Sequence, residues 1–253
     1  AAKGERSLIA IPIAANGSRL AGSVGERRTL EFAEREFRRL GLKNIRREYF
    51  DVSIPDPDAT GTLTIGSRSI ELLPLWPNLV RTSTAAVKGR LIYGADGSLK
   101  ALKGKDIQGS IVLLEFNSLS NWRNAAKLGA AAILFVEPDE TSRGEAEQKF
   151  AAVPLSIPRF YLSRSQAGEA LEAARREQSA ELRCRQDWIR RRTYNLLGEL
   201  PGSDPSAAAE PVAIFGYVDA MSVVPGIAPG AESSGSLATL LETVAIFAQT
   251  PHR

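Results

Sequence analysis

Residues Thr193–Gly198 read TYNLLG, and residues Val212–Asp219 read VAIFGYVD. Short apolar runs of this kind, bounded by turn residues, are typical of strands buried in a sheet. The segment Pro201–Pro205 between them, PGSDP, has the composition of a turn. We therefore predict two buried strands, Tyr194–Leu200 and Pro211–Tyr217, as part of an α/β domain.

A glycine-rich loop follows the second of these strands. It runs from Pro225 to Gly235 and leads into a stretch from Leu237 to about Gln249 that we predict to be a helix. Functional groups of α/β sheets lie at the carboxyl ends of strands. Asp219, which precedes this loop, and Glu232, which lies within it, are therefore expected at one edge of the sheet.

The sequence predicts a further helix over residues 24–40. Ser23 and Glu26 form a capping box, in which the Ser23 hydroxyl accepts from the Glu26 amide while the Glu26 side chain reaches back. The apolar residues that follow recur at spacings of three and four and share one face: Leu30, Ala33, Phe37 and Leu40. Gly41 is a stop signal. A short apolar run, Leu8–Ala15, precedes this helix and a strand-like run, Asn44–Ile54, follows it.

The middle of the chain has a different pattern, with short β-type runs separated by turn residues. The predicted strands are Gly61–Ile65, Ile70–Leu73, Gly89–Tyr93, Ser110–Phe116, Ala130–Val136 and Ala180–Arg190, and the predicted helices are Trp122–Leu128 and Gln166–Arg176. We therefore predict an α/β domain built from residues 1–58 and 190–253, with residues 59–189 inserted as a β-rich domain.

The composition is that of a globular protein and argues against several other classes of protein. The chain has 253 residues, of which 43% are hydrophobic and 24% charged, as in globular proteins. No apolar run approaches the ~18 residues that span a bilayer, so we predict no transmembrane segment. The basic run Arg183–Arg192 is interrupted by apolar residues and no recognition motif accompanies it, which argues against a nucleic-acid partner. The single cysteine, Cys184, excludes an internal disulfide and multi-cysteine zinc motifs.

Three stretches, in their order along the chain, carry a family resemblance. Gly22–Glu26 precedes the amphipathic helix; Leu102–Leu113 and Asn124–Ile133 follow in the middle segment; Thr193–Gly198 and Val212–Gly216 come last. In this order they resemble the co-catalytic zinc aminopeptidases and glutamate carboxypeptidases, with the middle segment similar to their inserted protease-associated domain. The resemblance implies a partial zinc-exopeptidase-type α/β domain, a peptide or protein substrate or ligand, and zinc as the family's cofactor.

The chain departs from the family's pattern at its metal ligands. The family's second strand ends in a His-x-Asp motif, whereas the matching residues here are Tyr217, Val218 and Asp219. A bridging aspartate of the family is matched by Glu232, which is followed by Ser233. A neutral tyrosine with a pKa of ~10 is a poor zinc ligand. The resemblance therefore implies a vestigial site of Asp219 and Glu232 beside Tyr217, with no zinc bound and no cofactor of another kind.

Each of these residues also has a structural interpretation. Asp219 can cap the glycine-rich loop, Glu232 can be a first-turn acid of the following helix, and Tyr217 can be a packed aromatic. The only histidine, His252, lies next to Arg253, where a catalytic role is not expected. The family's later ligands have no counterpart before Arg253, so the sequence is a fragment or a diverged chain.

Three functions remain open. The chain is a zinc exopeptidase whose site is completed elsewhere, a scaffold that has lost its metals, or a peptide-binding module built on a protease-associated domain. The beginning, Ala1-Ala2-Lys3, has no signal segment. It fits an exported protein after signal removal, which we expect, or a cytoplasmic one.

Overall fold

The structure is a computed structural model that describes residues 17–76, 85–150, 155–202, 211–228 and 230–249. The predicted apolar run Leu8–Ala15 and His252 lie outside the described residues. The chain divides into two compact units. We call residues 1–57, 189–222 and 227–253 the flanking unit, and residues 58–188 with 223–226 the barrel unit.

The described residues form nine strands, six α-helices and a short 3₁₀ helix. The strands are β1 (Lys43–Pro55), β2 (Gly61–Ile65), β3 (Arg68–Pro74), β4 (Ala85–Tyr93), β5 (Ile111–Glu115), β6 (Ala132–Val136), β7 (Arg159–Leu162), β8 (Ser179–Cys184) and β9 (Trp188–Glu199). The helices are α1 (Val24–Arg39), α2 (Leu99–Leu102), α3 (Trp122–Lys127), α4 (Arg143–Phe150), α5 (Arg164–Arg175) and α6 (Ala231–Gln249), with the 3₁₀ turn at Pro225–Ile227. The fold is mixed α/β.

The barrel unit contains seven strands in the closed order β2-β3-β7-β6-β5-β4-β8. Strands β4, β5, β6 and β7 pair in parallel, with Val112 opposite Ile133, and the remaining pairs are antiparallel. Strands β5 and β6 are apolar at nearly every position because helices or the barrel interior cover both of their faces. The residues of β6, AILFV, are all buried.

Two apolar clusters stabilise the barrel unit. One fills the barrel beside α5, whose alanines at 167, 170, 173 and 174 are buried and bring the helix close to the strands. The other lies on the outer faces of β5 and β6 and includes Trp122, which is fully buried and donates its indole N–H to the Gln148 carbonyl at 3.0 Å. The unit therefore has a core of its own.

Helix α1 of the flanking unit begins and ends as its sequence predicts. The Ser23 hydroxyl accepts from the Glu26 amide at 3.2 Å. The Glu26 carboxylate, however, accepts from the Gly22 amide at 2.6 Å, one residue beyond the usual capping-box partner. Ala33 and Phe37 pack against α6 through Leu237 and Leu241. The predicted helix over residues 24–40 is confirmed to within one residue.

The predicted strand Ala180–Arg190 is wrong, because the structure breaks it into two strands. Strand β8 ends at Cys184 and β9 begins at Trp188. In between, Arg185 pairs with Asp187 at 2.7 Å across a bend. Strand β9 pairs with β1 in a separate two-stranded sheet.

The predicted strand Pro211–Tyr217 is also wrong. Residues 211–220 have no regular secondary structure and pair with no strand in the described part of the chain. Val212 is 88% exposed and Phe215 is 89% exposed. An apolar run forms a strand only where a neighbouring strand supplies hydrogen bonds, and none of the described strands pairs with this segment. The following helix, α6, starts at Ala231, six residues before the predicted Leu237.

Candidate functional site

The structure places Tyr217 and Asp219 in the irregular segment that runs beside α6. The backbone N–H of Tyr217 donates to the Ser236 hydroxyl at 3.2 Å. The side chain of Tyr217 is 75% exposed, so its interpretation as a packed aromatic is wrong as well. Asp219 is exposed and the next residue, Ala220, is buried. The segment is therefore fixed at Ala220, directly after the carboxylate.

Arg19 is the residue that fixes this segment. Its side chain is fully buried, and its carbonyl accepts from the Ala220 amide at 2.8 Å. Its own amide donates to the Ala228 carbonyl at 2.9 Å, and its guanidinium donates to the Gly230 carbonyl at 2.6 Å. Burial lowers the pKa of Arg19, while the negative charge of Asp219 opposes that effect. A buried cation thus lies beside Asp219.

Gly230 brings the start of α6 next to Asp219. Its φ is +61°, and a Cβ atom placed on it would lie 2.2 Å from the Ala220 Cβ and 2.8 Å from the Arg19 guanidinium. Only glycine fits both the conformation and the space. Glu232 is the second residue of α6, and its side chain lies outside the described residues. Gly230, two residues before Glu232, therefore packs against Ala220, the residue after Asp219.

Glu26 is a second buried charge in this region. It is 5% exposed and accepts from the Gly22 amide and from the Thr193 hydroxyl, the latter at 2.8 Å. Burial raises the pKa of Glu26; the hydrogen bonds from Gly22 and Thr193 oppose the rise, and the charge of Asp219 adds to it. This carboxyl group therefore connects the first turn of α1 to β9, within electrostatic range of Asp219.

These residues do not fit a zinc ion. A structural site uses four protein ligands, and a catalytic site uses three with an open position. Within residues 17–76, 85–150, 155–202, 211–228 and 230–249, no group of three or more His, Cys, Asp or Glu could hold a metal. Tyr217 offers a phenol, and the guanidinium of Arg19 repels a cation that approaches Asp219.

Sequence reasoning missed Arg19 and the structural role of Glu26. Arg19 bonds Gly230 across 211 positions, which no local pattern reveals. Glu26 fits a capping box, but its bond to Thr193 joins residues 167 positions apart. Arg19 directly follows Asn16-Gly17-Ser18, whose composition is typical of a turn, and this was the available signal that the chain folds back there.

Comparison with known proteins gives no match to any family model and no match among curated proteins. Solved structures do match. The zinc aminopeptidase BSAP from Bacillus subtilis is 20% identical, with a TM-score of 0.61, over 97% of this chain and 57% of that one. A peptidase M28 precursor from Shewanella amazonensis SB2B is 16% identical, with a TM-score of 0.58, over 98% and 61%.

This chain therefore spans about three-fifths of the length of the structures it matches. At these identities the similarity is one of fold. None of the helices formed by described residues is long and apolar enough to cross a membrane. The chain has a fold shared with zinc aminopeptidases and M28 peptidases.

Proposed function

We propose that this chain is a zinc-exopeptidase-type protein whose own residues do not complete a zinc site, so that it does not hydrolyse aminoacyl or peptide substrates by itself. The observation that carries the proposal is the shared fold over 97% of the chain, combined with the replacement of ligands around Asp219. The fold supports a peptide or protein as the bound partner. Tyr217 and Glu232 stand where the resemblance expects a histidine and an aspartate.

Arg19 supports the inactive state. In a di-zinc site the positive charge next to the carboxylates is the metal. Here the buried guanidinium of Arg19 supplies positive charge beside Asp219 and is held by the Gly230 carbonyl. A zinc ion bound by Asp219 would have to overcome this repulsion with fewer ligands than a catalytic site uses.

The test is a metal analysis combined with an activity assay. Protein purified without chelator should contain far less than one zinc per chain and should release no p-nitroaniline from leucine p-nitroanilide, with or without added Zn²⁺. Tyr217→Phe is the matched control. It removes the phenol hydroxyl at the position where the family has a histidine ligand, and it should change neither the zinc content nor the activity. One zinc per chain with metal-dependent turnover that Asp219→Asn abolishes would contradict the proposal.

The second candidate is a peptide-binding or scaffold module, with residues 59–189 acting as a protease-associated domain. The observation that favours it is the closed seven-stranded barrel with its own buried core. Fluorescence anisotropy of labelled unstructured peptides with the full chain would distinguish the two. Saturable binding unaffected by EDTA, without cleavage of the peptide, would favour the binding module. Export stays a prediction for either candidate.

A further inference from the structure

A cavity of about 210 Å³ lies in the flanking unit between the first turns of α1 and the ribbon of β1 and β9. It has room for about seven water molecules at the ~30 Å³ each occupies in the liquid. That is below the ~300 Å³ at which pockets for drug-sized ligands begin. The cavity therefore suits a ligand the size of a single amino acid. Its walls carry both signs of charge and two aromatic rings: Arg27, Glu31, Arg47, Tyr49, Arg192 and Tyr194.

The basic groups of the cavity differ in what they already bind. Arg47 is already paired within the protein, because its Nε donates to the Glu34 carboxylate at 2.9 Å. Arg192 lies over the Tyr49 ring, 4.8 Å from its centroid, which leaves its N–H donors able to bind a ligand. The Arg27 side chain makes no ion pair or hydrogen bond within the described residues. Two guanidinium groups of the cavity are thus free to receive an anion.

Glu31 supplies the opposite charge. It lies one helical turn after Arg27, yet the two side chains form no ion pair with each other among the described contacts. A basic residue that precedes an acidic one at this spacing is the less favourable orientation for pairing in a helix. The helix therefore presents a separated positive and negative charge to the same small cavity.

Tyr194 contributes an aromatic wall to the cavity. The residue lines the cavity and is 8% exposed. Its hydroxyl oxygen is buried and has no hydrogen-bond partner among the described residues. Burial raises the pKa of Tyr194, with Arg47 opposing and Glu34 and Glu31 adding to the rise, so the group is a protonated donor at neutral pH. Because the hydroxyl oxygen has no accessible surface, the ring of Tyr194 rather than its hydroxyl can contact a ligand in the cavity.

We propose that this cavity binds a free α-amino acid with an apolar side chain. The carboxylate of the ligand lies between Arg27 and Arg192, and its ammonium group lies at Glu31. Its side chain packs on the rings of Tyr49 and Tyr194, which line the cavity. The cavity shares Glu26 with the region around Asp219, but the inference does not depend on whether the chain binds zinc or cleaves peptides.

The ligand's two charges can be tested one at a time by isothermal titration of the full chain. L-Leucine carries both charges, leucinamide lacks the carboxylate, and N-acetyl-L-leucine lacks the ammonium group. Because charge-assisted hydrogen bonds are the strong ones, each altered probe should bind about ten-fold more weakly than leucine or worse. The same ordering is expected in the presence of EDTA, since no metal is involved.

Variants assign each loss to a residue. Arg27→Gln combined with Arg192→Gln should abolish the preference for leucine over leucinamide. Glu31→Gln should abolish the preference for leucine over N-acetyl-leucine. Arg28→Gln is the matched control: it is exposed on the same helix, does not line the cavity, and should bind all three probes as the wild type does. All of these positions except Arg192 lie on the exposed side of α1, and thermal unfolding would confirm that each variant folds.

The outcomes separate cleanly. The site is supported by saturable leucine binding together with two results. The double arginine variant should lose the preference for leucine over leucinamide, and Glu31→Gln should lose the preference for leucine over N-acetyl-leucine. No leucine binding, equal binding of the three probes, or unchanged leucine binding in the double arginine variant would overturn it. Tyr194→Phe gives a second control, because it keeps the ring and removes only the inaccessible hydroxyl, so leucine binding should be unchanged.

Discussion

Strand β6 and the segment 212–216 have nearly the same composition, but the first is a buried strand and the second is an exposed irregular segment. The first reads AILFV and every side chain is buried; the second reads VAIFG and its Phe215 is 89% exposed. Strand β6 has parallel neighbours on both edges, β5 and β7, and side chains packed on both faces. The segment 212–216 has no strand beside it in the described part of the chain. Apolar residues favour a buried strand, but the strand forms only where a neighbouring strand can pair with it.

The largest effect that would test this comparison is on stability. Phe135, in β6, is fully buried, with 0% of its surface accessible to solvent. Phe135→Ala should reduce the free energy of unfolding by about 3–5 kcal/mol, the usual cost of deleting a buried phenylalanine. Phe215→Ala should change it by less than about 0.5 kcal/mol, as surface substitutions do. Guanidinium unfolding followed by circular dichroism would measure both. Equal losses would mean that residues 212–216 are buried in solution.

The next effect concerns how the irregular segment is held in place. Arg19→Met keeps most of the side-chain volume but removes the donor to the Gly230 carbonyl. Loss of a charge-assisted hydrogen bond from a buried group should cost about 1.5–3 kcal/mol. Arg28→Met, exposed on α1, is the control and should be neutral. Hydrogen exchange of the Ala220 amide, which bonds the Arg19 carbonyl, should accelerate only in the first variant. Unchanged exchange would show that this guanidinium does not hold the segment.

The comparison also shows what sequence can predict. Helix α1 was predicted because Ser23, the apolar spacing and Gly41 act within a few residues of one another. Strands β5 and β6 were predicted from continuous apolar runs. Closure of the barrel was not predicted, because it depends on β2 and β8 pairing across the sequence. The helix α4 was missed as well, since its sequence, RGEAEQKF, has no apolar face.

The candidate site was predicted less well than the fold. Gly230 packs against Ala220, but the expected sheet edge is absent, because the strand before Asp219 does not form within the described residues. That Asp219 and Glu232 share a site stays a prediction. Arg19 contacts Gly230 across most of the chain, so its burial beside Asp219 could not be read from sequence spacing. A long-range contact of one charged residue thus changed the expected chemistry of the site.

A smaller effect is expected in the dependence of stability on pH. Burial raises the pKa of Glu26 in the folded state, so folding favours its protonated form. The stability that this group contributes is fully present below its unfolded pKa of ~4.3 and is lost as the pH rises through the folded value. Glu26→Gln resembles the protonated form and cannot titrate. The unfolding free energy of the variant should therefore rise relative to wild type between pH 4 and 7. A difference that stays constant, or that falls with pH, would contradict the raised pKa.

The smallest effect is expected at the metal position itself. Tyr217→His with Glu232→Asp introduces the two residue types that the family resemblance expects, and Asp219 is then available to orient the imidazole. Two ligands are one fewer than a catalytic zinc uses, and Arg19 still lies beside Asp219. We therefore expect weak zinc binding and no hydrolysis of leucine p-nitroanilide.

Zinc titration of the double variant would show whether the segment and α6 form one site. Tyr217→His with Glu232→Gln is the matched control, because it keeps the new imidazole and removes the second carboxylate. If the two positions share a metal, the Asp-containing variant should bind zinc several-fold more tightly than this control, and Arg19→Met added to it should tighten binding further by removing the repelling charge. Equal affinities would show that residues 217 and 232 do not face a common ion. The segment before α6 would then differ from β6 in its chemistry as well as in its packing.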